Sequence, residues 1–429
     1  MKKKYRIILY TSIFLLCVVA SIILVVKKSN SVYEEESKPK VVKHKSMLSM
    51  NLEQTAGAGD YKTVTQSKWP TEGYKFNAEL SRCENGSTLS WDDTKKAVIV
   101  SGNLSDKCYV YFDIYQPTLA EYIKSQYTGT QGENNIYYHD SDLANGAGDN
   151  SYRYAGANPN NFVCFGSDTS PCPTDNLYRI IGVFGENYHG VTGKQLVKLI
   201  KYDYMTTDEL GTDGDYSQTY KEWGMNSTYK GTYGDGERIG VYYWNYKATG
   251  SATNTWSTSL LNKTNLNTNF INNIGTTWAN KIATVTWKVG GNTFANISDV
   301  VPATTYQNEI VNPVTTNTTD NATTYSAKIG LMYVSDYGFA ASPDAWTLTM
   351  NSYNNTTATN NNWMYMGLYE WTISRRADYS SFAFGVDSDG GVGLNLVLSN
   401  RGVRASFSLE SSVSYVSGSG SMSDPIVIN

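Results

Sequence analysis

The chain has 429 residues, with 35 lysines and arginines against 39 acidic residues, a formal net charge of −4 and three histidines. That balance lacks the basic stripe that nucleic-acid binding needs, and so few histidines leave no zinc-ligand spacing. Tyr (34) and Gly (36) are abundant and only 17% of residues are charged, a mix that indicates an extracellular, β-rich chain with length for one large or two modest cores.

Residues 7–26 are predominantly apolar, with Lys2, Lys3, Lys4 and Arg6 before them and Lys27 and Lys28 after. Twenty helical residues rise about 30 Å, the thickness of a bilayer core, so this segment is predicted to be a transmembrane signal anchor. The excess of N-terminal cations makes residues 1–6 a cytoplasmic tail and places the remainder outside, in the cell membrane as a single-pass protein. A cleaved signal peptide ending at Val18-Val19-Ala20 is the competing reading, although the apolar run continues past the usual length of about 7 to 15 residues. Residues 29–60 mix Glu34, Glu35, Glu36, Lys38 and Lys40 without apolar periodicity and read as a solvated stalk.

Residues 61–115 read as a small β module, with strand-like runs at Ala97-Val98-Ile99-Val100 and Cys108-Tyr109-Val110-Tyr111-Phe112 and a turn at Asn85-Gly86. A core this small needs a staple. Cys17 falls in the apolar run, leaving Cys83, Cys108, Cys164 and Cys172 as an even set for an oxidising compartment. Of the three possible pairings, Cys83–Cys108 with Cys164–Cys172 is the simplest, because each closes a loop within one segment.

Residues 116–429 form the large domain. A short helical connection is predicted over 118–127 and a long Gly/Asn/Asp loop over 128–176. A buried hairpin follows at 177–184 and 196–200, then a short helix or two over 256–274, an exposed Asn/Thr-rich insertion over 291–326, a strand at 328–334, and strands alternating with turns over 363–427.

Chemical motifs are sparse. Gly390-Gly391-Val392-Gly393 resembles a calcium-binding nonapeptide, but it is a single copy, and an EF-hand at Asp387 fails because Leu398 occupies the bidentate position. A lone calcium at Asp387 and Asp389 stays open. Glu370, Asp387 and Asp389 lie near Trp363, Tyr369 and Trp371, the minimum for a glycoside hydrolase, yet turn and core roles explain them better. Without a nucleophile elbow, triad or phosphate loop, no catalytic residue, metal or cofactor is assigned. The turn-rich stretch 371–402 is the predicted ligand-binding surface, offering Arg375, Arg376, Tyr379, Asp387, Asp389, Asn395, Asn400 and Arg401, with Arg375, Arg376 and Tyr379 foremost.

Tyr369-Glu370-Trp371-Thr372-Ile373-Ser374-Arg375 followed by Gly402-Val403-Arg404-Ala405-Ser406-Phe407 resembles the ending of the C-type-lectin-like and formylglycine-generating-enzyme (sulfatase-modifying factor) superfamily. With Trp69-Pro70-Thr71-Glu72-Gly73-Tyr74, Tyr178-Arg179-Ile180-Ile181-Gly182 and Lys328-Ile329-Gly330-Leu331-Met332-Tyr333, most of residues 60–429 resembles uncharacterised, membrane-anchored bacterial surface proteins with a C-terminal domain of unknown function. The resemblance implies an α+β chain comprising the N-terminal transmembrane helix, the small disulfide-stapled β module and a large, loop-rich C-type-lectin-like domain. The enzymatic branch of that superfamily uses C-terminal cysteines, whereas no cysteine follows Cys172 here, so the binding branch is implied. The expected function is therefore cell-surface recognition or adhesion, the partner being an extracellular protein or glycan. A structural, pilus-like surface component and a polysaccharide hydrolase are the alternatives.

Overall fold

The structure, a computed structural model, describes residues 48–65, 68–70, 73–103, 105–185, 188, 193–223, 228–247, 252–314 and 322–429. The expected tail 1–6, the transmembrane segment 7–26 and the stalk up to residue 47 lie outside the described residues. Two compact units follow, one ending at Gln116 and the other Pro117–Asn429.

Residues 48–53 were assigned to the stalk on charge, but their apolar positions alternate and they form a strand. In the first unit β1 (Leu48–Glu53), β2 (Tyr61–Val64), β3 (Tyr74–Cys83) and β6 (Cys108–Ile114) make one sheet in the order β2-β1-β6-β3, while β4 (Thr88–Asp92) and β5 (Ala97–Ser101) form a hairpin. Met50, Leu52, Val98, Val110 and Phe112 are its core, and Trp91 meets Phe112 edge-on at 5.5 Å. Cys83 and Cys108 are paired across β3 and β6 and joined by a disulfide. The Asn85-Gly86 turn is held by Asp106, whose carboxylate accepts the N–H groups of Asn85 at 2.9 Å and Ser87 at 3.1 Å.

The second unit opens with helix α1 (Leu119–Ser125), started by a capping box in which Thr118 and Glu121 each accept the other's backbone N–H. Its strands continue as β7 (Ile136–His139), β8 (Ser151–Tyr154), β9 (Phe162–Cys164), β10 (Leu177–Phe184), β11 (Leu196–Lys201), β12 (Tyr216–Thr219), β13 (Gly240–Tyr242), β14 (Val285–Lys288), β15 (Thr324–Ala327) and β16 (Ile329–Gly330). After them come helix α2 (Val334–Ala340), β17 (Glu370–Arg375), β18 (Phe382–Val386), β19 (Val392–Leu396), β20 (Ser406–Ser408), β21 (Tyr415–Ser417) and β22 (Val427–Ile428). A seven-stranded antiparallel sheet runs β16-β20-β11-β10-β8-β7 with β9 also on β10. Every residue of β10 and β11 is buried, as their near-continuous apolar runs require. Gly182 sits at a bulge in β10, where a Cβ would stand 2.2 Å from the Tyr152 carbonyl oxygen, so no other residue fits. The second disulfide, Cys164–Cys172, ties the end of β9 to the loop before β10.

The expected fold class, α+β with a transmembrane helix and a large loop-rich C-type-lectin-like domain, is corrected: the described chain is a sheet-rich mixed α/β fold with two disulfides. Short helical turns are interspersed among its strands rather than segregated from them. Among the described residues no helix is long and apolar enough to cross a membrane. The longest, the π-helix Leu261–Phe270 within the segment where helix was predicted, rises only about 15 Å and is rich in Asn and Thr. The supposed loop 128–176 contains β7, β8 and β9. The supposed insertion is also folded up to residue 314, with Ile297, Tyr306, Glu309 and Ile310 buried; residues 315–321 lie outside the described residues.

Candidate functional site

Three strands, β17-β18-β19, carry the stretch expected to bind ligand, in the register Glu370↔Val386 and Ala383↔Asn395. Its flanks are internal. Glu370 and Arg404 are 2% and 1% exposed and form a two-point ion pair, with Nε to Oε1 at 2.8 Å and a terminal nitrogen to Oε2 at 2.9 Å. Burial raises the Glu370 pKa while Arg404 opposes the rise. This carboxylate is occupied by scaffold and has no free face for glycoside cleavage. Trp371 is fully buried and donates its indole N–H to the Tyr242 carbonyl at 2.8 Å.

The eight predicted ligand contacts separate into four places. Arg375 is 1% exposed, donating to the carbonyls of Val289 and Val314 at 3.1 Å each, and burial lowers its pKa to about 10. It serves the core. Arg376 and Tyr379 lie at the turn between β17 and β18; the guanidinium donates twice to Asp378, at 2.7 and 2.9 Å, and rests 4.1 Å from the centre of the Tyr379 ring, which is 55% exposed. Asp389 is exposed and accepts the Gly391 N–H at 3.1 Å within the β18–β19 turn. That turn needs Gly390, whose φ is +98° and whose Cβ would stand 2.9 Å from the Tyr353 carbonyl oxygen.

The fourth place gathers Asp387, Asn395, Asn400 and Arg401. Arg401 donates to the Asn395 side-chain oxygen and, at 2.9 Å, to the Asn400 carbonyl. Burial raises the Asp387 pKa against the opposing pull of Arg401 and the Asn395 amide, and burial lowers that of Arg401. The Arg401 backbone is fixed by a reciprocal pair of bonds with Tyr242 of β13, at 2.9 and 3.2 Å.

Two aromatic side chains complete this cluster. The Arg401 guanidinium stands 4.4 Å from the centre of Tyr369 and 5.5 Å from that of Trp223, with those two rings 5.6 Å apart. Both are partly exposed, and the Arg401 Nε is a buried donor without a partner among the described residues. The site is a half-buried cation, a carboxyl and an amide beside two ring faces. Sequence reasoning missed Trp223, which reaches the cluster from the helical turn Tyr220–Trp223 between β12 and β13. Nothing in its local pattern marks it, since its partners Tyr369 and Arg401 lie 146 and 178 positions downstream.

Among the described residues no three His, Cys, Asp or Glu side chains converge as a metal site requires. No family model, curated protein or solved structure matches the chain.

Proposed function

We propose that the chain is a recognition protein that acts outside the cytoplasm and binds a glycan at the Trp223–Tyr369–Arg401 cluster. The observation carrying this reading is the Arg401 guanidinium set against Tyr369 and Trp223 with Asp387 and Asn395 alongside. Sugar rings present apolar C–H faces and a rim of hydroxyls; aromatic faces meet the first, and charged or amide groups meet the second. The two disulfides favour an oxidising compartment. A protein ligand is the second reading, favoured by exposed Leu396 and Leu398, 48% and 42% accessible, next to the same hairpin.

A glycan array probed with the purified chain tests the proposal. Capture of a defined glycan class by the native chain, lost in Arg401→Ala and Trp223→Ala, is the expected result; an array with no specific capture, or capture indifferent to both substitutions, counts against it.

A further inference from the structure

Lysine in the middle of a wholly buried strand is costly unless its charge is paired or removed. Lys198 occupies that position in β11, 1% exposed. Its Nζ lies 2.5 Å from Asp336 Oδ2 and 2.9 Å from the Tyr188 hydroxyl oxygen, which in turn donates to Asp336 Oδ1 at 2.5 Å. The Tyr333 N–H donates to Oδ2 at 3.0 Å, and Arg153 stands 3.8 Å from Oδ1 while pairing with Asp149 at 2.7 Å. Rings enclose the amine: Tyr333 at 4.3 Å, Tyr188 at 4.8 Å, Trp287 at 5.1 Å and Phe184 at 6.0 Å from Nζ to ring centre. A cavity of about 10 Å³, lined by Lys198, Tyr188, Trp287 and Tyr333, adjoins it and has room for one water.

We infer that Lys198 and Asp336 condense into an intramolecular amide that covalently joins β11 to α2. One proton passes from the ammonium to the carboxylate across the 2.5 Å contact, leaving a neutral amine beside a neutral acid. Burial, the largest influence, and Arg153 lower the Lys198 pKa, while Asp336 raises it; the net shift is downward and favours the amine. The amine nitrogen then attacks the Asp336 carboxyl carbon. The C–N bond forms, the C–Oδ2 bond breaks, and Oδ2 departs with its own proton and one from the amine as a single water, for which the adjoining cavity has room. Tyr188 bonds both partners and relays protons between them, while the Tyr188 and Tyr333 donors stabilise charge building on the carboxyl oxygens. Fixing the two groups in contact supplies a high effective concentration, and the dry surroundings disfavour hydrolysis of the product.

A second buried lysine shows why the first pair is special. Lys201 also contacts a carboxylate, Glu209, but that side chain is 19% exposed against 0% for Asp336, so water solvates the ion pair and competes for the carbonyl.

Intact-mass measurement of the full chain, held at neutral pH until its mass stops changing and then denatured and reduced, reads the bond directly. The expected mass is one water below that of the sequence, with a branched peptide joining the Lys198 and Asp336 segments and no cleavage after Lys198 by a lysine-specific protease. Lys198→Met and Asp336→Ala should each restore the full mass. A native chain of full sequence mass, or a water loss mapped to other residues, overturns the inference, and the native-chain peptide map decides the matter even when a variant does not fold.

Discussion

Glu309 shows how a single buried group sets a measurable pH dependence. It is 1% exposed, accepts the N–H groups of Ser335 at 2.6 Å and Val334 at 3.3 Å, and takes the Ser374 hydroxyl bond. Burial raises its pKa from 4.5 to about 7 despite those donors. The folded chain therefore holds a proton that the unfolded chain releases between these values, so the stabilisation is full below about pH 4.5 and lost as pH rises through about 7. Glu309→Gln, which keeps a neutral amide there, should raise stability by about 3 kcal/mol at pH 8 relative to the native chain and change little at pH 4.5. Urea unfolding at the two pH values checks it. Buried His139, its pKa pushed down by burial, gives the opposite slope below about 6.5, so the difference between variant and native chain is the quantity to compare. At the Glu370–Arg404 pair, Glu370→Gln leaves an uncompensated buried guanidinium and should cost about 3 to 5 kcal/mol in the same assay. Sequence flags some of these groups: Lys198 visibly interrupts the apolar Leu196-Val197-Leu199-Ile200 run. It does not name the partner, because Asp336 is 138 positions away. Arg375 deceived for a related reason: Glu-Trp-Thr-Ile-Ser-Arg alternates polar and apolar residues as a half-exposed strand would, yet β17 is buried on both faces, so its polar positions point into the protein as well.

At the scale of elements, strands were legible where apolar runs were long and nearly continuous. The hairpin of β10 and β11 could be read directly. The segments 128–176 and 291–314 could not, because their Gly, Asn and Thr content follows turn statistics while their few apolar residues, such as Ile136, Phe162, Ile297 and Ile310, find cores through distant contacts. The disulfides act on this scale. In the loop-entropy model, replacing Cys83 and Cys108 by serine should cost about 3.5 kcal/mol, and replacing Cys164 and Cys172 about 2.5 kcal/mol, since the loops span 25 and 8 positions. Denaturant unfolding of the two double variants gives the comparison, and equal losses would contradict the loop-length account. In the β18–β19 turn, Gly390→Ala forces a side chain into a left-handed conformation against Tyr353, with an expected loss of about 1 to 3 kcal/mol.

For the whole molecule, the β-rich character and the stretch holding Asp387, Asn395 and Arg401 were open to sequence reasoning; the mixed α/β class and the arrival of Trp223 were not. Composition reports what surfaces a chain can bury, whereas a site is assembled from turns between strands whose pairing is non-local. The recognition account rests on one cluster, and the indole N–H of Trp223 is its natural reporter, with the buried indoles of Trp244 and Trp346, bonded to the carbonyls of Thr372 and Ala341, as internal references. Titrating the native chain with the glycan it captures best, followed by NMR at the indole signals, should move the Trp223 resonance saturably and leave the two references in place, with affinity reduced about tenfold or more in Arg401→Ala. Saturable binding that leaves Trp223 unmoved, or no saturable response to any glycan, would contradict the account.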